Sequence, residues 1–132
     1  MQTRLKTIFN ELCAVIHKHR PEEAAIEDVF MGKNAGSALK LGQARGLALA
    51  ACLANDLYIS EYSARKVKQS LVGTGAATKA QVKRMVQILL CINENIAEDS
   101  ADALAIAICH ANTQSKLIRL SGAKSFTKKR LR

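Results

Sequence analysis

Two short apolar runs, residues 24–30 and 57–62, flank a long Ala-rich segment, residues 37–55, and this order constrains the chain more than any other feature. Two strands joined through a helix of that length pair in parallel, because a hairpin turn is no longer available to them. Helical periodicity accounts for most of the rest. Leu5, Ile8, Phe9, Leu12, Val15 and Ile16 recur at intervals of three and four, predicting an amphipathic helix from Thr3 to His19 that Pro21 stops. Gly32, Lys33 and Asn34 read as a turn, and Gly42 and Gly46 allow a close helix or backbone approach on the segment that Asn55 and Asp56 end. Ser63 caps a predicted helix over 64–72, and Thr78 caps another that runs to about Leu90 after the break "GTGAAT", residues 73–78. A final helix begins near Asp99. The result is an α/β layer architecture with a small parallel sheet. Two strands are few for so many helices, so the chain looks like part of a larger α/β fold.

Length and charge narrow the function. The 132 residues fit one domain with an aliphatic core, and 20 Lys and Arg against 11 Asp and Glu give a net charge of +9. Such a balance favours a polyanionic partner, most often nucleic acid, or else serves as a soluble basic surface. No acidic residue follows Asp102, whereas Lys116, Arg119, Lys124, Lys128, Lys129, Arg130 and Arg132 do. Residues 113–132 are therefore read as a frayed helix end and a basic C-terminal tail, and residues 1–112 as the domain. Cys13, Cys52, Cys91 and Cys109 lack CxxC spacing and fall in apolar helical patterns, which favours buried free thiols over disulfides or zinc. No apolar run approaches the roughly 20 residues of a membrane helix and no signal peptide is evident, so a cytoplasmic location is expected. No Ser or Cys sits in a nucleophile elbow with a His partner.

The carboxylates carry the chemistry. In "AIEDVFMGKNAGSALKLGQARG", residues 25–46, Glu27 and Asp28 interrupt an apolar run. Burying an ionised carboxylate is costly unless it is paired, hydrated or bound to a cation. Alternation along a strand turns Asp28 to the face opposite Glu27, towards solvent or a turn. In "EDSADALAIAICH", residues 98–110, Asp99 and Asp102 share one face at the start of an apolar helix. Two readings stand there: the pair caps the helix in imitation of a capping box, or it joins Glu27 in a hard-oxygen cluster suited to Mg²⁺. Arg65, Lys66 and Lys68 precede the "GTGAAT" loop, and Lys79, Lys83 and Arg84 follow it. Together they form a basic wall suited to phosphates, or they are ordinary surface charges about a helix-to-helix turn. The helix start at Thr78 offers free N–H groups to an anion in the first of these readings. A Rossmann or P-loop fingerprint is absent, because a helix precedes the glycines.

"AIEDVFMGKNAGSALKLGQARG", "EYSARKVKQSLVGTGAATKAQV" and "DSADALAIAICH" resemble, in order and spacing, the middle and C-terminal parts of the RuvC Holliday-junction resolvases, over residues 3–112. The resemblance implies an RNase H-like fold. It also implies a homodimeric endonuclease that cuts four-way DNA junctions with Mg²⁺ held by four acidic side chains, working beside a junction-binding and branch-migration complex. Glu27, Asp99 and Asp102 match three of those acids as catalytic and metal-binding residues. Phe30 matches an aromatic that stacks near the junction, and Lys68 and Lys79 match basic residues that contact DNA; Arg65 joins them as a DNA-binding candidate beside the loop. Without the resemblance, Phe30 would read as a core residue.

The family's first strand, with an Asp-Pro-Gly turn that supplies the fourth acid, and the two strands after it would precede Thr3. Nothing in residues 1–23 replaces that Asp: Glu11 falls in an amphipathic helix, and Glu22 and Glu23 in an exposed connector. The expectation is an N-terminally truncated RNase H-like domain with an open strand edge and little cleavage. The alternative function is a non-catalytic DNA-binding or dimerising remnant. An unrelated basic helical RNA-binding module would require the match to be accidental.

Overall fold

A computed structural model of the chain describes residues 2–28 and 34–121. The element order is α1 (Gln2–His19), β1 (Glu23–Asp28), α2 (Ala35–Ala54), β2 (Tyr58–Ser63), α3 (Ala64–Val72), α4 (Lys79–Leu89) and α5 (Glu98–Leu120). The order matches the sequence reading, and β1 pairs with β2 in a two-stranded sheet. Tyr58 N–H donates to Glu22 O at 3.2 Å, so the strand starts lie together and the pairing is parallel. Glu23 belongs to β1 and is half-buried, so it is not the exposed connector charge expected of it.

Local chemistry sets the boundaries. α2 starts two residues before the expected Ser37, because Asn34 is its N-cap: Asn34 Oδ1 accepts from Gly36 N–H at 3.0 Å and Ser37 N–H at 3.2 Å. Its other end closes at Asn55, and Asp56 follows with φ of 58°. Ser63 caps α3 through Lys66 N–H, and Gly73 ends it in the left-handed conformation, φ 88°. Thr78 and Gln81 form a reciprocal capping box at α4. α5 continues past residue 113 to Leu120, and residues 122–132 of the basic tail lie outside the described residues.

The chain divides into two compact units, Met1–Glu61 and Tyr62–Arg132. In the second, α3, α4 and α5 pack pairwise on Val67, Leu71, Ala77, Val82, Val86, Ala105 and Cys109. Ala101, Ala105 and Cys109 are buried at intervals of four along α5, so small side chains face the neighbours and let them approach. In the first unit α1 packs on α2, yet only Ala51 and Leu57 are buried among its described residues. Leu39, Gly42, Gly46, Ala50 and Leu53 make an exposed stripe along α2, with Leu39 at 66% and Leu53 at 64% exposure. The close approach that the two glycines allow is not made among the described residues: a Cβ at Gly42 or Gly46 would meet none of them within 4 Å.

The four cysteines are free, but only Cys109 is fully buried. Cys13 and Cys52 are half-buried. Cys91 is exposed, because α4 ends before it and the chain turns there with φ of 54°. Burial, and secondarily the Cys13 thiol, raise the Cys52 pKa above the ordinary thiol value, so Cys52 stays protonated at neutral pH.

Leu71→Ala should cost about 2–5 kcal/mol in urea unfolding, whereas Leu120→Ala, at a site 85% exposed, should stay within about 0.5 kcal/mol. Timed alkylation with mass spectrometry should modify Cys91 first and Cys109 last.

Candidate functional site

Each carboxylate singled out in the sequence is placed by its own element. Glu27 is the penultimate residue of β1 and half-buried, while Asp28 after it is exposed, as strand alternation requires. The Glu27 side chain makes no hydrogen bond or ion pair with the described residues, but its backbone carbonyl does. Arg45 of α2 donates to it from Nε at 3.3 Å and pairs through Nη2 with Glu61 Oε1 of β2 at 3.0 Å.

Asp99 and Asp102 stand exposed in the first turns of α5, three residues apart on one face. The capping reading of this pair fails. The N-cap is Ala97, which makes no side-chain capping bond, and neither Asp forms a hydrogen bond or ion pair with the described residues. What remains is a pair of exposed carboxylates beside a helix N-terminus, whose dipole favours their charge.

The donor chemistry of Glu27, Asp99 and Asp102 fits a hard divalent cation, since all three are carboxylate oxygens unclaimed by other described groups. Their number does not close a coordination shell. Among the described residues, no group of three or more His, Cys, Asp and Glu side chains is assembled to hold a metal.

The basic residues surround the "GTGAAT" loop within the second unit. Arg65 and Lys79 are exposed and Lys68 is half-buried; Lys66 and Arg84 are exposed too. Arg45–Glu61 is the one ion pair among the described residues, so none of these cations is neutralised by an acidic partner there. The loop holds its shape with its own bonds: Ala76 N–H donates to Thr74 Oγ1 at 3.2 Å and Ala77 N–H to Thr74 O at 3.4 Å. Gly75 makes room for Arg65, for a Cβ there would lie 2.6 Å from Arg65 Cγ. The anion reading of the α4 start is reduced, because the capping box already occupies the Thr78 and Gln81 N–H groups. Phe30 lies outside the described residues.

Sequence reasoning missed two contacts. The Arg45 fork joins residues 18 and 16 positions away, beyond any local pattern. Tyr62 Oη lies 2.6 Å from His110 Nδ1 across 48 residues, with ring centroids 5.7 Å apart, and ties the end of β2 to α5. The separate signals were the polar residues themselves on otherwise apolar segments.

A two-stranded parallel sheet, carboxylates on a strand and at a helix start, and exposed cations on α3 and α4 define an α/β protein with separate acidic and basic surface groups. The family model "Crossover junction endodeoxyribonuclease RuvC" matches residues 1–110. A RuvC from Teredinibacter turnerae is 59% identical over 127 residues, covering 96% of this chain and 72% of the relative. One from Francisella philomiragia is 50% identical over 129 residues, covering 98% of this chain and 75% of the relative. The solved Thermus thermophilus RuvC in complex with Holliday junction substrate superposes with a TM-score of 0.83 at 34% identity, over 87% of this chain and 70% of that one. The chain belongs to the RuvC family of crossover junction endodeoxyribonucleases.

Gly73→Ala should destabilise the chain by roughly 1–2 kcal/mol, since its φ of 88° is left-handed. Gly75→Ala should cost about 1 kcal/mol or more in the same unfolding assay, because a Cβ there would lie 2.6 Å from Arg65 Cγ, near the base of that side chain, and would displace the arginine.

Proposed function

We propose that this chain recognises four-way DNA junctions as a structure-specific nuclease of the resolvase type, with Glu27, Asp99 and Asp102 as catalytic carboxylates and Mg²⁺ as cofactor. The observation that carries the reading is the Asp99–Asp102 pair, exposed on one helix face and serving no cap or ion pair, in a chain matched to the family over residues 1–110. The superposed Thermus thermophilus structure, which holds a junction, supports the same substrate. When bound, divalent cations supply activation of a water and stabilisation of the leaving oxygen of a phosphodiester. The chain's own part is to present carboxylate oxygens to the cation and to hold the DNA backbone.

For the second task we assign Arg65, Lys68 and Lys79, with Phe30 as the residue that stacks near the junction. Phosphate contacts of this kind fix position and orientation without reading sequence. Arg65 is seated by Gly75, and Lys79 opens α4 beside the capping box, so both cations flank the loop from defined elements. A homodimer fits the exposed α2 stripe: Leu39 and Leu53 supply apolar area, and Gly42, Gly46 and Ala50 between them let a second backbone come close. We extend the reading to a cytoplasmic setting and to work beside a junction-binding and branch-migration complex. No described helix is long and apolar enough to cross a membrane.

These 132 residues supply three of the four acids that the family resemblance implies. A polypeptide of this sequence is therefore expected to retain junctions better than it cuts them, which is also the behaviour of the second reading, a DNA-binding or dimerising remnant. A labelled four-way junction and a matched duplex, incubated with the chain in Mg²⁺ or EDTA, separate the two. Junction-selective retention without nicks is expected; symmetric Mg²⁺-dependent nicks would show that three acids suffice, and equal retention of duplex would remove junction recognition. Replacing Lys68 and Lys79 together by Ala should flatten the slope of log affinity against log salt by about 2, at roughly 0.9 per phosphate contact. An unchanged slope would take both lysines out of the DNA surface.

A further inference from the structure

We propose that Arg45 is a positioning residue that holds Glu27 in register for its cation, an inference that rests on the reading of Glu27 as a metal ligand. Among the described residues, Glu27 of β1 has no side-chain partner to orient it. Its direction is set by the backbone that carries it. That backbone is tied at the Glu27 carbonyl by Arg45 Nε, 3.3 Å away, and the guanidinium is steadied by Glu61 Oε1, 3.0 Å from Nη2. One planar fork on α2 thus grips the β1 backbone at Glu27 and a side chain of the neighbouring strand β2.

The arrangement is poorly suited to stability alone. Arg45 and Glu61 have side chains 24% and 49% exposed, a setting in which an ion pair contributes little. The bond to Glu27 is long for an N–H···O contact, so it too is individually weak. Its effect is on geometry: a small shift of the Glu27 backbone swings the carboxylate away from the position that it shares with its cation. Only arginine does this with one side chain, because the rigid guanidinium presents two donors in fixed directions, whereas an ammonium is a single point on a flexible stem. The same fork leaves the Glu27 carboxylate itself unclaimed, as a ligand requires.

The test uses the 132-residue chain and dilute Mn²⁺ as a paramagnetic probe, read as line broadening of assigned backbone amides by NMR, with the Asp56 amide as reference. Arg45→Lys is the decisive variant, since it keeps the charge and removes the fork. In the parent chain, Mn²⁺ should broaden Glu27 selectively, and Glu27→Gln should abolish that selectivity. Arg45→Lys should raise the Mn²⁺ concentration for half-broadening at Glu27 by about tenfold, the lower end of what loss of an outer-sphere partner costs. Its thermal unfolding midpoint should stay close to that of the parent. An Arg45→Lys response equal to the parent's, with selectivity lost in Glu27→Gln, would overturn the positioning role and leave Glu27 a ligand. No selective broadening in the parent, or an unaltered Glu27→Gln, would remove Glu27 from the site and the role of Arg45 with it. A large fall in the Arg45→Lys midpoint would make Arg45 a structural residue, also against the proposal.

Discussion

The packing of α5 on α3 and α4 is the constraint on which the second unit depends. Ala101, Ala105 and Cys109 give α5 a face of small side chains, and Val67, Leu71, Val82 and Val86 close on Ala105 and Cys109. Burial of that face fixes the rotation of α5 about its axis, because successive residues on a helix diverge by about 100°. With Ala101 inward, Asp102 must turn outward, and Asp99 on the preceding turn follows it. The carboxylate pair is therefore exposed as a consequence of core packing. The Tyr62–His110 contact adds a polar anchor farther along the same helix.

The first unit is organised differently. It buries little among its described residues, and its specific contacts are polar and few: the Asn34 cap, the Asn55 amide on Ala51 O, and the Arg45 fork. Such contacts fix geometry more than they add stability. The first unit thus carries Glu27 and the exposed α2 stripe, and the second carries the Asp99–Asp102 pair together with Arg65, Lys68 and Lys79.

Much of this was legible in the residues. The order of elements followed from apolar periodicity, and Ser63, Thr78 and Pro21 marked helix ends because their chemistry acts within three or four positions. Asn34 caps α2, a role that the turn reading of Gly32, Lys33 and Asn34 leaves out, and Gly32 and Lys33 themselves lie outside the described residues. Asp99 and Asp102 could be placed on one face, yet whether they capped α5 was open, because an Asp at a helix start satisfies both readings until the N-cap residue is known. Cys91 reads as a core thiol because the helical pattern runs up to it, and the turn that exposes it has no sequence mark of its own.

What the sequence determined by itself was therefore local: helices, strands, caps, the charge of the basic surface and, through its motifs, membership of the resolvase family. These depend on neighbours along the chain, where spacing alone sets which side chains meet. Tertiary structure decided which of the polar residues are claimed. Arg45 reaches Glu27 and Glu61, and Tyr62 reaches His110, across intervals that no periodicity encodes. Conversely, Asp99, Asp102 and the Glu27 carboxylate are left without partners among the described residues, which spacing along the chain could not have established.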